Sequence, residues 1–120
     1  MARNEDDVME KLLAQRKISI EEAKHVSLMA SKKSSYQESR ALLTHYNIEL
    51  NLYRNGAKSG VITLSSITGN ISLYNSYDNQ ESVGNVSAKF GKAFIDLLDR
   101  NNLTEYILPV GLQGLNKSEE

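Results

Sequence analysis

The chain contains no cysteine, one proline and two histidines, and nowhere about 18 consecutive apolar residues, the run that a membrane-spanning helix needs. Each absence removes a class of function. Without cysteine there is no disulfide framework, no thiolate metal site and no cysteine nucleophile, and a reducing, cytoplasmic setting is expected. Residues 1 to 20 carry the acids Glu5, Asp6 and Asp7 where an export signal needs a basic start and an unbroken apolar run, so no export signal is read. The Asn-x-Ser/Thr sequons at Asn70, Asn85, Asn102 and Asn116 then read as chance matches. The seven glycines are scattered, and none of their close pairs joins a strand to a helix at the spacing of a phosphate-cradling loop. Neither a nucleotide nor any other cofactor is expected. His25 and His45 form no His-x-x-x-His pair and no acidic calcium loop is present, so no metal site is expected either.

What remains is ordinary globular material. The 120 residues are 40% hydrophobic and 24% charged, enough for one core and one domain. That domain is expected over residues 1–108, with 109–120 as a loose tail beyond Ile107 and Leu108. The net charge of -1 hides an asymmetry: residues 31 to 60 carry five Lys/Arg against two acids. An excess of three falls short of the basic stripe of a protein that binds nucleic acid mainly through charge, so any such binding would be local.

The spacing predicts an α+β chain with two or three N-terminal helices, a three-stranded antiparallel meander and a C-terminal helix packed on the sheet. A first helix is read over Asn4 to about Arg16, with acids at its positive end and Val8, Leu12 and Leu13 at helical spacing. Ser19 with Glu22 forms a capping box for a second, and Ile20, Ala23, Val26 and Ala30 share one stripe. Ser35 with Glu38 makes another box, opening a third helix from Tyr36 to about Tyr46. With no Gly or Pro between them, the second and third could also be one helix. From Asn47 the period changes to two: Ile48, Leu50 and Leu52 alternate with Glu49, Asn51 and Tyr53, and Asn55-Gly56 supplies a hairpin turn. Strands are expected at about 47–54, 60–66 and 70–77, then a polar loop over 75–84. A last helix, capped by Asn85 or Ser87, runs to about Arg100. Its Phe90, Phe94 and Leu98 could close a core or a homodimer, and Gly91 inside it costs about 1 kcal/mol relative to Ala.

No catalytic constellation emerges, and the chain is read as a non-enzyme. His25 and His45 lie in no nucleophile motif, and a histidine near a helix end can simply favour the negative helix terminus. Asp96 and Asp99 read as a solvated helix face. Two short capped helices followed by a hairpin, with the basic segment at their junction, resemble a winged-helix arrangement over roughly residues 5 to 66. The resemblance implies a third helix in the major groove, with Tyr36, Gln37, Ser39 and Arg40 at base edges and Lys32, Lys33, Arg54 and Lys58 at phosphates. Helix 35–46, three strands and helix 87–99 are also similar in order to double-stranded RNA-binding domains, with Lys89 and Lys92 at the last helix start.

The reading preferred over nucleic acid is a small protein-binding regulator or inhibitor, because the net charge opposes nucleic acid. Tyr53, Tyr74 and Tyr77 are its candidate contact residues, since tyrosine buries area while keeping a polar tip. Richness in Asn, Lys, Ile and Tyr with a single Pro suits an A/T-rich genome, including those of phages and mobile elements.

Overall fold

A computed structural model describes residues 12–37, 46–107 and 111–115. Helix α1 spans Ile20–Ala30, a 3-10 turn Lys33–Ser35, and strand β1 Tyr36–Gln37. Strands β2 (Ile48–Arg54), β3 (Ala57–Leu64), β4 (Asn70–Asn75) and β5 (Gln80–Val86) follow, then helices α2 (Ala88–Arg100) and α3 (Thr104–Ile107). The chain is α+β: one five-stranded antiparallel sheet in the order β1-β5-β4-β3-β2, with helices against one face. Among the described residues no helix is long and apolar enough to cross a membrane.

The capping box forms as its sequence requires. The Ser19 hydroxyl accepts from the Glu22 N–H at 3.1 Å, and a Glu22 carboxylate oxygen accepts from the Ser19 N–H at 3.2 Å. The helix then stops at Ala30, where Ser31 turns its hydroxyl back to the Leu28 carbonyl at 2.7 Å and Lys32 is extended. At the other end of the fold Ser87, not Asn85, caps α2, accepting from the Phe90 N–H at 3.1 Å. Asn85 belongs to β5.

The meander is built from the alternation read in the sequence. Asn55 and Gly56 take φ of 54° and 83° in the β2–β3 turn, the left-handed pair that matches strand twist in a two-residue hairpin. Register sets Ile48, Leu64 and Ile71 in one row and Leu50, Ile62 and Leu73 in the next, on the face that α1 and α2 cover. Val26 of α1 and Phe90, Phe94, Leu97 and Leu98 of α2 complete that core. Phe90, Phe94 and Leu98 are therefore buried within the chain, and the last helix closes its own core.

Four expectations are corrected. The sheet has five strands, not three. Residues 80–84, expected to be loop, belong to β5 (Gln80–Val86), because Ser82 and Gly84 on the covered face leave no apolar period to read. Tyr36–Gln37, expected to open a third helix, form β1 instead. Tyr36 pairs with Val86, lays its ring beside Gly84, meets the Phe90 ring edge-on at 5.7 Å, and donates its hydroxyl to the Ala30 carbonyl. This burial outweighs the local capping signal, and Ser35 gives its hydroxyl to the Met29 carbonyl at 2.6 Å. The rest of that expected helix, 38–45, lies outside the described residues, as do residues 4–11 of the expected first helix. Residues 12–19 carry no regular secondary structure, and Leu12 and Leu13 there are exposed.

Within the expected tail, Gly111–Leu115 is packed. Leu115 is fully buried, and the Gly114 N–H donates to the Ser66 carbonyl at 2.8 Å. Gly91 permits this approach, since a Cβ there would stand 2.5 Å from the Leu115 carbonyl oxygen.

Candidate functional site

An open groove of about 300 Å³ lies between the C-terminal half of α1 and the hairpin ends of β2, β3 and β4. Leu52, Ile62 and Leu73 give it an apolar lining from the covered sheet face. Ser27, Ala30 and Ser31 line it from α1, and Arg54, Ser59, Gly60, Asn75, Tyr74 and Tyr77 from the strands and the turn beyond. Gly60 stands in register between Leu52 and Asn75. A Cβ there would stand 2.8 Å from the Tyr74 carbonyl oxygen, so the close approach of the two strands requires a glycine.

The groove walls are held by local hydrogen bonds. A register irregularity between Leu52 and Tyr53 leaves Ser59 as an extra residue on β3, and its hydroxyl donates to the Leu52 carbonyl at 3.3 Å. Ser76 donates its N–H to the Ser59 carbonyl at 3.1 Å and its hydroxyl to the Lys58 carbonyl at 3.0 Å. The Asn75 side chain accepts from the Tyr77 N–H at 2.8 Å, Asp78 accepts from the Gln80 N–H at 3.1 Å, and the Tyr74 hydroxyl donates to Asn79. Asn79 itself sits at φ 53°. Asx contacts of this kind fix a turn without help from a core, and Tyr77 is presented from it 70% exposed.

Electrostatically the groove is one-sided. Arg54 is its charged lining residue, while Lys32 adjoins Ser31 and Lys58 adjoins Ser59 in the chain. Among the described residues no carboxylate and no histidine lines it. His25 is exposed on α1, and His45 falls outside the described residues. Asp96 approaches Lys92 at 4.0 Å one turn away, and Asp99 accepts from the Thr104 hydroxyl at 3.4 Å, both at exposed positions. Among the described residues no three His, Asp or Glu side chains converge as metal ligands would.

The residues singled out from sequence are thus divided. Arg54 and Tyr77 both line the groove; Tyr74 lines it too, but register turns its side chain to the uncovered sheet face. Tyr53 is 63% exposed and does not line it, although register places it on the uncovered sheet face with Tyr74. Lys32, Lys33, Lys58 and Gln37 are exposed, Arg40 lies outside the described residues, and Tyr36 is committed to the core. The winged-helix resemblance loses the helix start that should hold Tyr36 and Gln37, and β5 breaks the three-strand order of double-stranded RNA-binding domains. Ser27, Ser31, Leu52, Leu73 and Asn75 were missed: each looks like an ordinary core or surface position until α1 is laid over the hairpin ends. Comparison of the chain with protein-family models, with curated proteins and with solved structures finds no match.

Proposed function

We propose that this protein is a non-enzymatic binding module, a regulator or inhibitor that takes a protein segment into the groove between α1 and the β2–β4 hairpin ends. The observation that supports it most is the composition of the groove: an apolar floor of Leu52, Ile62 and Leu73, with Arg54 and Tyr77 beside it and, among the described residues, no acidic or imidazole side chain. Such a surface suits an apolar side chain flanked by a carboxylate. Tyrosine and arginine are the side chains most enriched where binding energy concentrates.

Capture of partners with the intact chain as bait tests this reading. Leu73→Lys and Arg54→Glu should each lose a partner that the wild type and Lys89→Glu retain. A partner held equally by all four chains overturns the groove as the site. The nucleic-acid alternative is tested by titrating mixed-sequence DNA and RNA at two salt concentrations. Micromolar binding that weakens steeply with salt, and that is lost in Lys33→Ala, would replace the protein-binding reading.

A further inference from the structure

Among the described residues, three that are not glycine take a positive φ, and all are asparagines: Asn55 at 54°, Asn79 at 53° and Asn102 at 56°. An asparagine amide is open to attack by the backbone nitrogen of the next residue, so the fate of that nitrogen separates the three. After Asn79 it is held, because the Gln80 N–H donates to the Asp78 carboxylate at 3.1 Å. After Asn102 the Leu103 N–H donates to the Leu98 carbonyl at 2.9 Å. Asn75, which precedes a small residue, is restrained twice. The Ser76 N–H donates to the Ser59 carbonyl at 3.1 Å, and the Asn75 side chain accepts from the Tyr77 N–H at 2.8 Å. At Asn55 the restraint is missing. Register pairs Arg54 with Ala57 at the ends of the turn, and a turn's own hydrogen bond joins its end residues, which leaves the central N–H of Gly56 to solvent. Asn55 and Gly56 are both exposed, and a Cβ built on Gly56 meets nothing within 4 Å.

We infer that Asn55 is a self-modification site, at which the folded hairpin converts its asparagine to aspartate and isoaspartate. The Gly56 nitrogen, its proton passed to solvent base, attacks Asn55 Cγ. The Cγ–Nδ2 bond breaks, ammonia leaves with a proton from solvent, and a five-membered succinimide closes. Water then adds at Cγ, leaving an aspartate, or at the backbone carbonyl carbon, leaving an isoaspartate whose chain runs through Cβ and Cγ. One water is consumed and one ammonia released, and nothing is oxidised or reduced. The backbone already holds half of the geometry. Ring closure eclipses the Gly56 nitrogen with Asn55 Cβ, which in an L residue sets ψ near about −120°, the value at the first central position of a type II′ turn, where φ is about +60°. Asn55 supplies that φ. Types I′ and II′ both close a two-residue hairpin, so the change between them is a flip of the Asn55–Gly56 peptide that keeps the strands in register. Gly56 crosses from positive to negative φ in that flip, which glycine does without steric cost. The isoaspartate product carries an extra backbone methylene that a two-residue turn does not accommodate, and it loosens the tip beside Arg54. The inference rests on the turn and not on what the groove binds.

Mildly alkaline incubation of the intact folded chain, followed by peptide mapping and isoaspartate-specific carboxyl methylation, tests this. Asn55 should be modified before Asn75, Asn79 and Asn102, gaining the mass by which a hydroxyl exceeds an amino group. Its rate in the folded chain should stay within about tenfold of its rate in urea, a barrier difference of about 1.4 kcal/mol. Asn55→Gly, a Gly-Gly pair that keeps the turn, should abolish methylation at this position. The isoaspartate fraction, isolated by ion exchange, should exchange its Ala57 amide hydrogen faster than the aspartate fraction does. Protection of the folded chain beyond that tenfold overturns the inference, because the turn would then shield Asn55 instead of preparing it. So does earlier modification at Asn75, Asn79 or Asn102, or methylation that survives in Asn55→Gly, and equal exchange in the two fractions overturns the loosening of the tip.

Discussion

The carbonyl oxygen of Leu115 occupies the space where Gly91 would carry a side chain, 2.5 Å from an ideal Cβ. A glycine that would be a weak point in an exposed helix is here the seat for a returning chain segment. In a free helix Gly91→Ala would gain about 1 kcal/mol from propensity. Against Leu115 it should instead lose stability, since overpacking costs about 1–3 kcal/mol. Leu115→Ala should cost about 2–5 kcal/mol as a buried truncation. Urea midpoints of the two variants check both numbers, and a stabilised Gly91→Ala would mean that Leu115 does not rest there.

Tyr36 offers a graded test of β1. Tyr36→Phe keeps the ring against Phe90 and Gly84 but removes the hydroxyl that reaches the Ala30 carbonyl, and about 1 kcal/mol should be lost. Tyr36→Ala also empties the space over Gly84, and a loss of about 3–5 kcal/mol is expected by analogy with other aromatic truncations. Burial pushes the Tyr36 phenol above its ordinary value. Ionisation therefore favours the unfolded chain, and stability should fall as pH rises past the ordinary tyrosine range. Tyr36→Phe should flatten that alkaline decline, as read from melting temperatures across the range.

Glu22 joins the start of α1 to the end of α2. Arg100 donates its Nε to this carboxylate at 2.9 Å, and the hydrogen bond is the main reason its pKa is lowered, with the Ser19 N–H and Asn101 assisting and desolvation opposing. The folded carboxyl thus ionises more readily than the unfolded one. The stabilisation is complete above the ordinary carboxylate range and fades as pH falls through the folded value. Because Arg100 is half exposed, solvent screens the pair, and Glu22→Gln should cost under about 1 kcal/mol at neutral pH. The difference from wild type should vanish in acid, and a loss constant down to low pH would assign the effect to the cap alone.

Asn47 substitutes for a missing rung at the start of β2. Its side-chain oxygen accepts from the buried Ser66 N–H at 2.9 Å while its amide donates to the Ser66 hydroxyl at 2.9 Å. Asn47→Ala strands a buried donor and should cost about 1–3 kcal/mol. Asn47→Asp keeps the acceptor and should lose less, and equal losses in denaturant titrations would count against the acceptor role.

Much of this fold was legible because its signals are local. Ser19 with Glu22, Ser87 before the α2 stripe, the Ile48–Leu50–Leu52 alternation and the Asn55-Gly56 turn each act within a few residues. β5 was illegible because Ser82 and Gly84 occupy its inner positions, and the ring that covers Gly84 comes from Tyr36, far away in the chain. The same ring made Tyr36 look like a helix residue available to a ligand. Arg54 and Tyr77 could be picked out as exposed residues with binding chemistry. Their meeting with Ser27 and Ser31 depends on where α1 crosses the sheet, which no short-range pattern records.

The strand order has a consequence for how the chain assembles. β2 to β5 are successive hairpins, each able to form from neighbours in sequence, whereas β1 must find β5 across the whole span from Tyr36 to Val86. Closing so long a loop carries an entropic cost that the hairpins escape, offset by two residue pairs and by the Tyr36 ring against Phe90. β1 is thus the last rung to zip and the first to fray, and its opening would lift the lid from Phe90 while the meander is still intact.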